Sequence, residues 1–453
     1  MSENKLTLSL AERILQSRPE SDEKAMLAAR MGLIDYLASS FAGRQDTGIA
    51  KLWSIVDSEG GHAVVPVVGQ DRKASPRQAA LLNGFIGHAL DYDDVHSDVR
   101  GHPSTVILPA LISAASTSIA VGGERLLASY ILGVETMARF GKSIGSEHYL
   151  KGWHNTYTLG VIAAAVAVAY LKSFTQEQLE RTIGFAATQS SGLRNQFGTE
   201  AKPLHAGMAA QAALLAVSLA EVDFGGTRTS LDGKSGYFGV YGNLELAEQT
   251  LLEGWGQSWK IVEPGLWFKI YPFCSAAHHA ADAVVRLAEQ HSFDPRDIEQ
   301  VDIVFPTGGD AALIERNPRT GEQGRFSVEY VTAAALLGLP LSVESFTNAT
   351  IPKHVLEWLP RIQRSYDDTI EAAPHAVPKG RFTIVKITVK NGESYSERVD
   401  CPRGAPGNAL SLEDLKQKLE GSLSYAPESA SALLKTILAL RSETDMQTLL
   451  HQL

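Results

Sequence analysis

The hydrophobic pattern of this 453-residue chain changes period twice, and that constrains its fold more than any other feature. From the start to about residue 265 the apolar residues recur at helical spacing. Ile298-Glu299-Gln300-Val301-Asp302-Ile303-Val304-Phe305 and Phe382-Thr383-Ile384-Val385-Lys386-Ile387-Thr388-Val389 instead alternate, as strands do. From Ser411 onward the helical period returns. The chain is too long for one ordinary domain. The pattern therefore predicts an all-helical domain made of residues 1–265 and 408–453, interrupted by an α+β lid domain at 266–407. The fold class is mainly α with a smaller α+β part.

Within the first region, helices are expected over 76–90, 104–120, 124–145, 155–172, 176–192 and 203–222. A short strand is expected over 63–69. Ser21-Asp22-Glu23 caps an earlier helix. In the second region a helix is expected from Ala276 to Gln290, and further helices over Val331–Leu337 and Ala349–Leu359. Asn391-Gly392 makes a hairpin turn into a strand at Ser394–Val399. Arg403-Gly404-Ala405-Pro406-Gly407 reads as the exit linker. No internal repeat is present, which argues against a solenoid scaffold.

The net charge of −10 disfavours nucleic acid or an anionic membrane as a partner. A small anionic substrate stays open, because the charge in a cleft can oppose the global charge. The two cysteines, Cys274 and Cys401, rule out a zinc knuckle and fit a reducing compartment. The start of the chain lacks a signal peptide's apolar run. The longest apolar run, Val161–Leu171, falls short of the ~20 residues a bilayer span needs. A cytoplasmic protein is expected.

The chemistry concentrates in His88-Ala89-Leu90-Asp91-Tyr92-Asp93-Asp94-Val95-His96, followed by Gly101-His102-Pro103-Ser104-Thr105. Counting Asp98, four carboxylates and three histidines stand between two apolar helices. Such crowding perturbs pKa values and points to acid–base chemistry or metal binding; a solvated loop that caps the next helix is the plainer reading. An aspartate-rich Mg²⁺ site would need a second acidic cluster, which the sequence does not supply. No metal or organic cofactor is expected, since there is neither a ligand set nor a glycine-rich phosphate loop.

At Gly101-His102-Pro103-Ser104 the sequence resembles the MmgE/PrpD family of 2-methylcitrate dehydratases, cis-aconitate decarboxylases and an iminodisuccinate epimerase. Four more motifs follow in the family's order: Gly152-Trp153-His154, Lys202-Pro203-Leu204-His205, Lys269-Ile270-Tyr271-Pro272 and Phe326-Ser327-Val328-Glu329-Tyr330. The resemblance implies a large all-helical domain with an α+β lid, a homodimer, and a cofactor-independent reaction on a small di- or tricarboxylate. Removing a proton alpha to a carboxylate requires a base, an acid and fixed cationic donors.

His102 and His154 each stand before a helix, whose positive end favours a neutral imidazole base. Asp91 is the candidate to orient one of them. Asp93 and Asp94 read as capping residues or partners of Arg100. Lys202 sits at a helix entrance, where a cation gains nothing from the helix dipole; the resemblance makes it and Lys269 clamps on substrate carboxylates. Tyr330 is a candidate auxiliary acid, with Ser327 as its helix cap and Phe326 as core. Tyr149 and His205 are candidate substrate-binding residues, and His148, His278 and His279 read as supporting groups.

The branch signatures diverge. The dehydratases carry Asp-Asn after His-Pro-Ser, where this chain has Thr105-Val106. The decarboxylases carry Thr where this chain has Val95. The stretches Val99–Ser104, His148–His154 and Gln196–Thr199 are closest to the epimerase, whereas Tyr330 matches the lyases. A lyase is favoured on Tyr330. Epimerisation at the same site, and a non-catalytic carboxylate-binding protein, are the alternatives.

Overall fold

The computed structural model describes residues 5–118, 121–291 and 293–453. Its centre is the helix Gly160–Leu171, whose twelve residues are all buried. A helix apolar on every side has no face to give to water and must be enclosed. The helices Ser104–Thr117, Gly123–Ile144, Gln176–Ala187 and Ala201–Glu221 enclose it. The last is long and apolar enough to cross a bilayer. Here it packs against Gly160–Leu171, Gln176–Ala187, Ser104–Thr117, Pro76–His88 and the short helix Asn155–Thr158.

One close crossing matters for function. Where Pro76–His88 meets Ala201–Glu221, a side chain on Gly207 would lie 2.1 Å from the Leu81 carbonyl oxygen. One on Gly84 would lie 2.6 Å from the Gly207 Cα. The two backbones therefore touch, which only glycine allows. The crossing puts the end of one helix, at His88, beside the start of the other, at Lys202.

The α+β part holds a four-stranded sheet in the order Ile362–Tyr366, Ile298–Phe305, Thr383–Val389, Ser394–Val399. Ile298–Phe305 runs parallel to the first of these and antiparallel to the third. The helix Ser275–Gln290 packs on the sheet, with Val328–Leu336 against it. The tail helices Leu412–Ser422, Pro427–Ala439 and Glu443–Gln452 do not join this sheet. Leu415, Leu419, Ile437 and Met446 lie in the same apolar core as Leu33 and Leu37. A small cluster of Val95, Trp267 and Ala405 lies apart from the larger apolar cores. Val95 and Trp267 exchange backbone hydrogen bonds there, at 2.9 and 2.8 Å.

Several local expectations change. The strand at 63–69 shrinks to Val65–Pro66, paired with Lys73–Ala74, since Pro66 has no N–H to extend the ladder. The helix expected over 155–172 is broken at Leu159 into Asn155–Thr158 and Gly160–Leu171. The one expected over 176–192 stops at Ala187, ahead of Gly192 in a left-handed conformation. The one over 104–120 ends at Thr117, with 119 and 120 outside the described residues. Pro352 precedes a single turn, Lys353–Leu356, in place of the helix 349–359. The strand Ile362–Tyr366 was not foreseen from periodicity: its residues alternate too weakly, with only Ile362 buried.

Candidate active site

The loop from His88 to Ser104 is fixed by its own backbone. Asp91 and Arg100 both adopt left-handed conformations, with φ of 51° and 53°. These are uncommon for residues with a side chain and concentrate at functional positions. The His96 carbonyl accepts from Arg100 N–H at 2.9 Å, and His96 N–H donates to the Gly101 carbonyl at 3.1 Å. Asp94 accepts from the Ser104 backbone N–H at 3.3 Å and from its hydroxyl, capping the next helix. This is the structural role expected of Asp94.

Asp93 does something else. Its carboxylate accepts from His88 Nδ1 at 2.7 Å and lies 3.2 Å from His102 Nδ1. The Asp94 carbonyl, 2.8 Å from His102 Nδ1, can only accept, so Nδ1 carries the proton. His102 Nε2 is left as a lone pair. Asp93 flanks the Nδ1 side of this ring, and Asp91 lies 3.6 Å from its Nε2. Asp91 is held between two ammonium groups: Lys269 Nζ donates to its carboxylate and to its carbonyl, both at 2.7 Å, and Lys202 Nζ donates at 3.0 Å. Lys202 also donates to His88 Nε2 at 2.8 Å.

The electrostatics follow from this packing. Burial works to raise the Asp91 and Asp93 carboxyls, but the adjacent cations and imidazoles outweigh it and hold both well below the usual range. Burial pushes His88 down to about 3, and Lys202 adds to that while Asp93 opposes it. Burial likewise lowers His102, with Asp93 opposing and Lys269 and Lys202 assisting. His102 is thus neutral, as expected, but because of its burial and the two lysines more than the helix end. Lys202 is also lowered, by burial first, against the pull of Asp91.

These groups form one end of a cavity of about 340 Å³, in the usual range for small-molecule sites. The α+β part supplies its other wall, through Cys274, Phe326 and Arg381. Two family models match the chain: the MmgE/PrpD N-terminal domain over residues 8–249 and the MmgE/PrpD C-terminal domain over 271–443. The chain belongs to the MmgE/PrpD family. It is 25% identical over 447 residues to human cis-aconitate decarboxylase, covering 94% of this chain and 90% of that protein. It is 26% identical to the mouse cis-aconitate decarboxylase, over 78% of this chain and 73% of the relative. It is also 26% identical to one from Aspergillus terreus, over 75% and 73%.

Six of the residues expected to act on or bind substrate meet in the cavity: Asp91, His102, Tyr149, His154, Lys202 and Lys269. His154 is neutral, lowered by burial and then by Lys202, and its Nδ1 lies 2.9 Å from His205 Nδ1. His205 stands behind His154 and is not among the cavity-lining residues. Tyr149 carries the Arg194 guanidinium 3.7 Å over its ring.

Tyr330 is not brought to this wall. Ser327 caps its helix as expected, accepting from Tyr330 N–H at 3.2 Å, but the Tyr330 hydroxyl donates to the Ser345 carbonyl at 2.6 Å. Phe326 lies in the apolar core of the α+β part, as expected, and also lines the cavity beside Lys202. His148 is spent on the Tyr241 carbonyl and Thr158. His278 and His279 bond backbone carbonyls near Trp267.

His88, Asp91, Asp93 and His102 bring ligand atoms within 4.8 Å of one another, a spacing that could hold a metal ion. The fit is poor on charge. Lys202 Nζ already sits against His88 Nε2 and Asp91, and Lys269 Nζ against Asp91, so ammonium groups fill the cation positions.

Two residues escaped the sequence reading. His88 lay inside the acidic cluster but ended a helix, and nothing local marked its contact with Lys202. Lys418, in the distant tail helix, is buried. Its Nζ donates to Asp35 at 2.7 Å, to the Tyr92 carbonyl at 2.7 Å and to the Lys269 carbonyl at 3.0 Å. It braces the backbone beside Asp91 and at Lys269 from behind. No sequence pattern links position 418 to either.

Proposed function

We propose that this protein is a lyase that acts on a small di- or tricarboxylate through an electron pair formed next to a carboxylate. The observation that carries the reading is His102: a neutral imidazole with its Nδ1 proton committed to the Asp94 carbonyl, its Nε2 unprotonated, in a cavity with two buried ammonium groups. Nε2 removes the proton alpha to a carboxylate. The electron pair left on carbon spreads into that carboxylate, whose growing charge the fixed Lys202 and Lys269 stabilise without reorganising. Departure of a β-hydroxyl then gives an alkene and water. Loss of CO₂ instead leaves an equivalent electron pair on carbon, which takes up one proton that His102 Nε2 relays from solvent, returning the imidazole to its neutral form.

Similarity to cis-aconitate decarboxylases over most of the chain supports a lyase. None of these steps calls on a bound cofactor. A second reading, epimerisation, is favoured by one observation: His154 is a second neutral histidine lining the same cavity. Two bases could take and return a proton on different faces of one carbon. Proton NMR in D₂O with cis-aconitate, 2-methylcitrate and an aspartate-derived imine separates these. Itaconate formation or loss of water supports the lyase. Exchange with inversion and no elimination supports the epimerase. No change in any of the three overturns both.

A further inference from the structure

We propose that Arg100 and Arg381 form a second anion-binding subsite at the mouth of the cavity, which receives the non-reacting carboxylate of a di- or tricarboxylate substrate. The inference rests on the carboxylate reading of the inner site.

Both arginines line the cavity that holds Lys202, Lys269 and His102. They come from opposite parts of the chain: Arg100 from the loop before the Ser104–Thr117 helix, and Arg381 from the turn before the strand Thr383–Val389. Neither side chain has a hydrogen-bond or ion-pair partner among the described residues. The chain does not treat its other inward arginines this way. Arg364 holds Asp310 at 3.0 Å and Glu329. Arg325 donates to the carbonyls of Ala89 and Phe346.

Every nearby carboxylate is already committed. Asp310 is taken by Arg364. Asp98, in the same loop as Arg100, faces Lys260 at 3.7 Å. Asp91 is held by the two lysines. Burial pushes the Cys274 thiol up, so it offers no anion at neutral pH. Two guanidinium groups line one opening, and the carboxylate that acts on Arg381, Asp310, is already held by Arg364, which leaves a site for an external anion.

The backbone supports the same assignment. Arg100 holds a left-handed conformation, as does Asp91 at the inner end. Only four residues other than glycine do so among those described, and these two line the cavity. Depth separates the two ends. Lys202 and Lys269 are 4% and 0% exposed, whereas Arg100 is exposed and Arg381 half-buried. A carboxylate held at the inner lysines leaves a second one, a few carbons away, directed toward the arginines.

The test is a ligand-observed NMR titration of the full chain with tricarballylate, an unreactive tricarboxylate, and with butyrate. Arg100 is exposed, so Arg100→Gln leaves folding intact; Arg381→Gln is accompanied by Arg381→Lys, which keeps the charge. Tricarballylate binding should weaken about ten- to hundred-fold in either Gln variant, the size expected for losing a charged hydrogen bond. Arg381→Lys should lose less, and butyrate binding should not change. Equal weakening for both ligands, or no weakening for tricarballylate, overturns the subsite alone. A parent protein that binds neither ligand overturns the inner-site reading and the subsite with it.

Discussion

The two ends of the cavity solve the same problem in different ways. At the inner end every charge is satisfied inside the protein: Asp91 by the ammonium groups of Lys202 and Lys269, and Asp93 by a hydrogen bond from the neutral His88 ring, with His102 beside it. At the mouth, Arg100 and Arg381 have no side-chain hydrogen-bond or ion-pair partner among the described residues. The difference follows from desolvation. A charge removed from water must find a counter-charge or lose its ionisation, so an inner site can keep several charges only as a closed network. Near solvent, water screens an unpaired guanidinium at little cost. The inner end is therefore suited to chemistry, because its dipoles and charges are fixed before substrate arrives. The mouth is suited to selecting substrate, because its cations are free until an anion reaches them.

The sharpest way to break this contrast is at His102. His102→Asn keeps a donor toward the Asp94 carbonyl and removes the Nε2 base. It should lower kcat about 10²- to 10⁴-fold, the usual worth of a positioned acid–base group. KM should change little, since the nitrogen acts mainly in the transition state. Steady-state kinetics on the substrate found by NMR check this, and near-parental kcat would remove His102 from the chemistry.

Lys418 tests whether the inner network needs its support from behind. Burial lifts the Asp35 carboxyl to about 6 even with Lys418 pulling it down. Lys418→Met strands that carboxyl and should cost about 3–5 kcal/mol in denaturant unfolding, as broken buried pairs do. Adding Asp35→Asn removes the stranded charge and should restore part of the stability. If Lys418 positions the site, kcat stays low in the double variant, because the Tyr92 and Lys269 carbonyls still lack their donor. Parental kcat in the double variant would leave Lys418 a purely structural role.

A further test is in pH. His88 and His279 are each pushed down to about 3 in the fold, by burial first, whereas an unfolded histidine titrates near 6.5. Between those values the unfolded chain binds protons that the folded chain refuses. The stability these groups contribute is complete above about pH 6.5 and is lost as the pH falls toward 3, at about 1.4 kcal/mol per proton per pH unit. Melting temperature should fall across that window, and His279→Gln should flatten the fall. Arg100 is not among the charges that act on His88 or His279, so Arg100→Gln should leave the profile unchanged. An unaltered slope in His279→Gln would show that this residue is not one of the groups responsible.

Much was legible in the sequence because it is written locally. The period of the apolar residues marked the strands Ile298–Phe305 and Thr383–Val389 and most of the long helices. Asn391-Gly392 marked the hairpin between the last two strands. The acidic cluster and the family motifs, with Tyr149 beside one of them, pointed to six residues that share one cavity. Boundaries failed where a single residue outweighs a pattern, as at Pro66, Leu159 and Pro352. The strand Ile362–Tyr366 could not be read because its partner, Ile298–Phe305, decides it and lies far away in the chain.

By itself, then, the sequence determined which segments would be helix or strand, and which residue types were available for acid–base chemistry. Those properties depend on neighbours a few positions apart. Tertiary structure alone decided who meets whom. The contact of Gly84 with Gly207 set His88 against Lys202. Folding gave Asp91 to two lysines and left His102 to be oriented by the Asp94 carbonyl, with Asp93 beside it. It turned the Tyr330 hydroxyl to the Ser345 carbonyl and brought Lys418 behind the site from the far end of the chain. Pairings of this kind are set by depth and desolvation, which belong to the assembled interior and have no period along the chain.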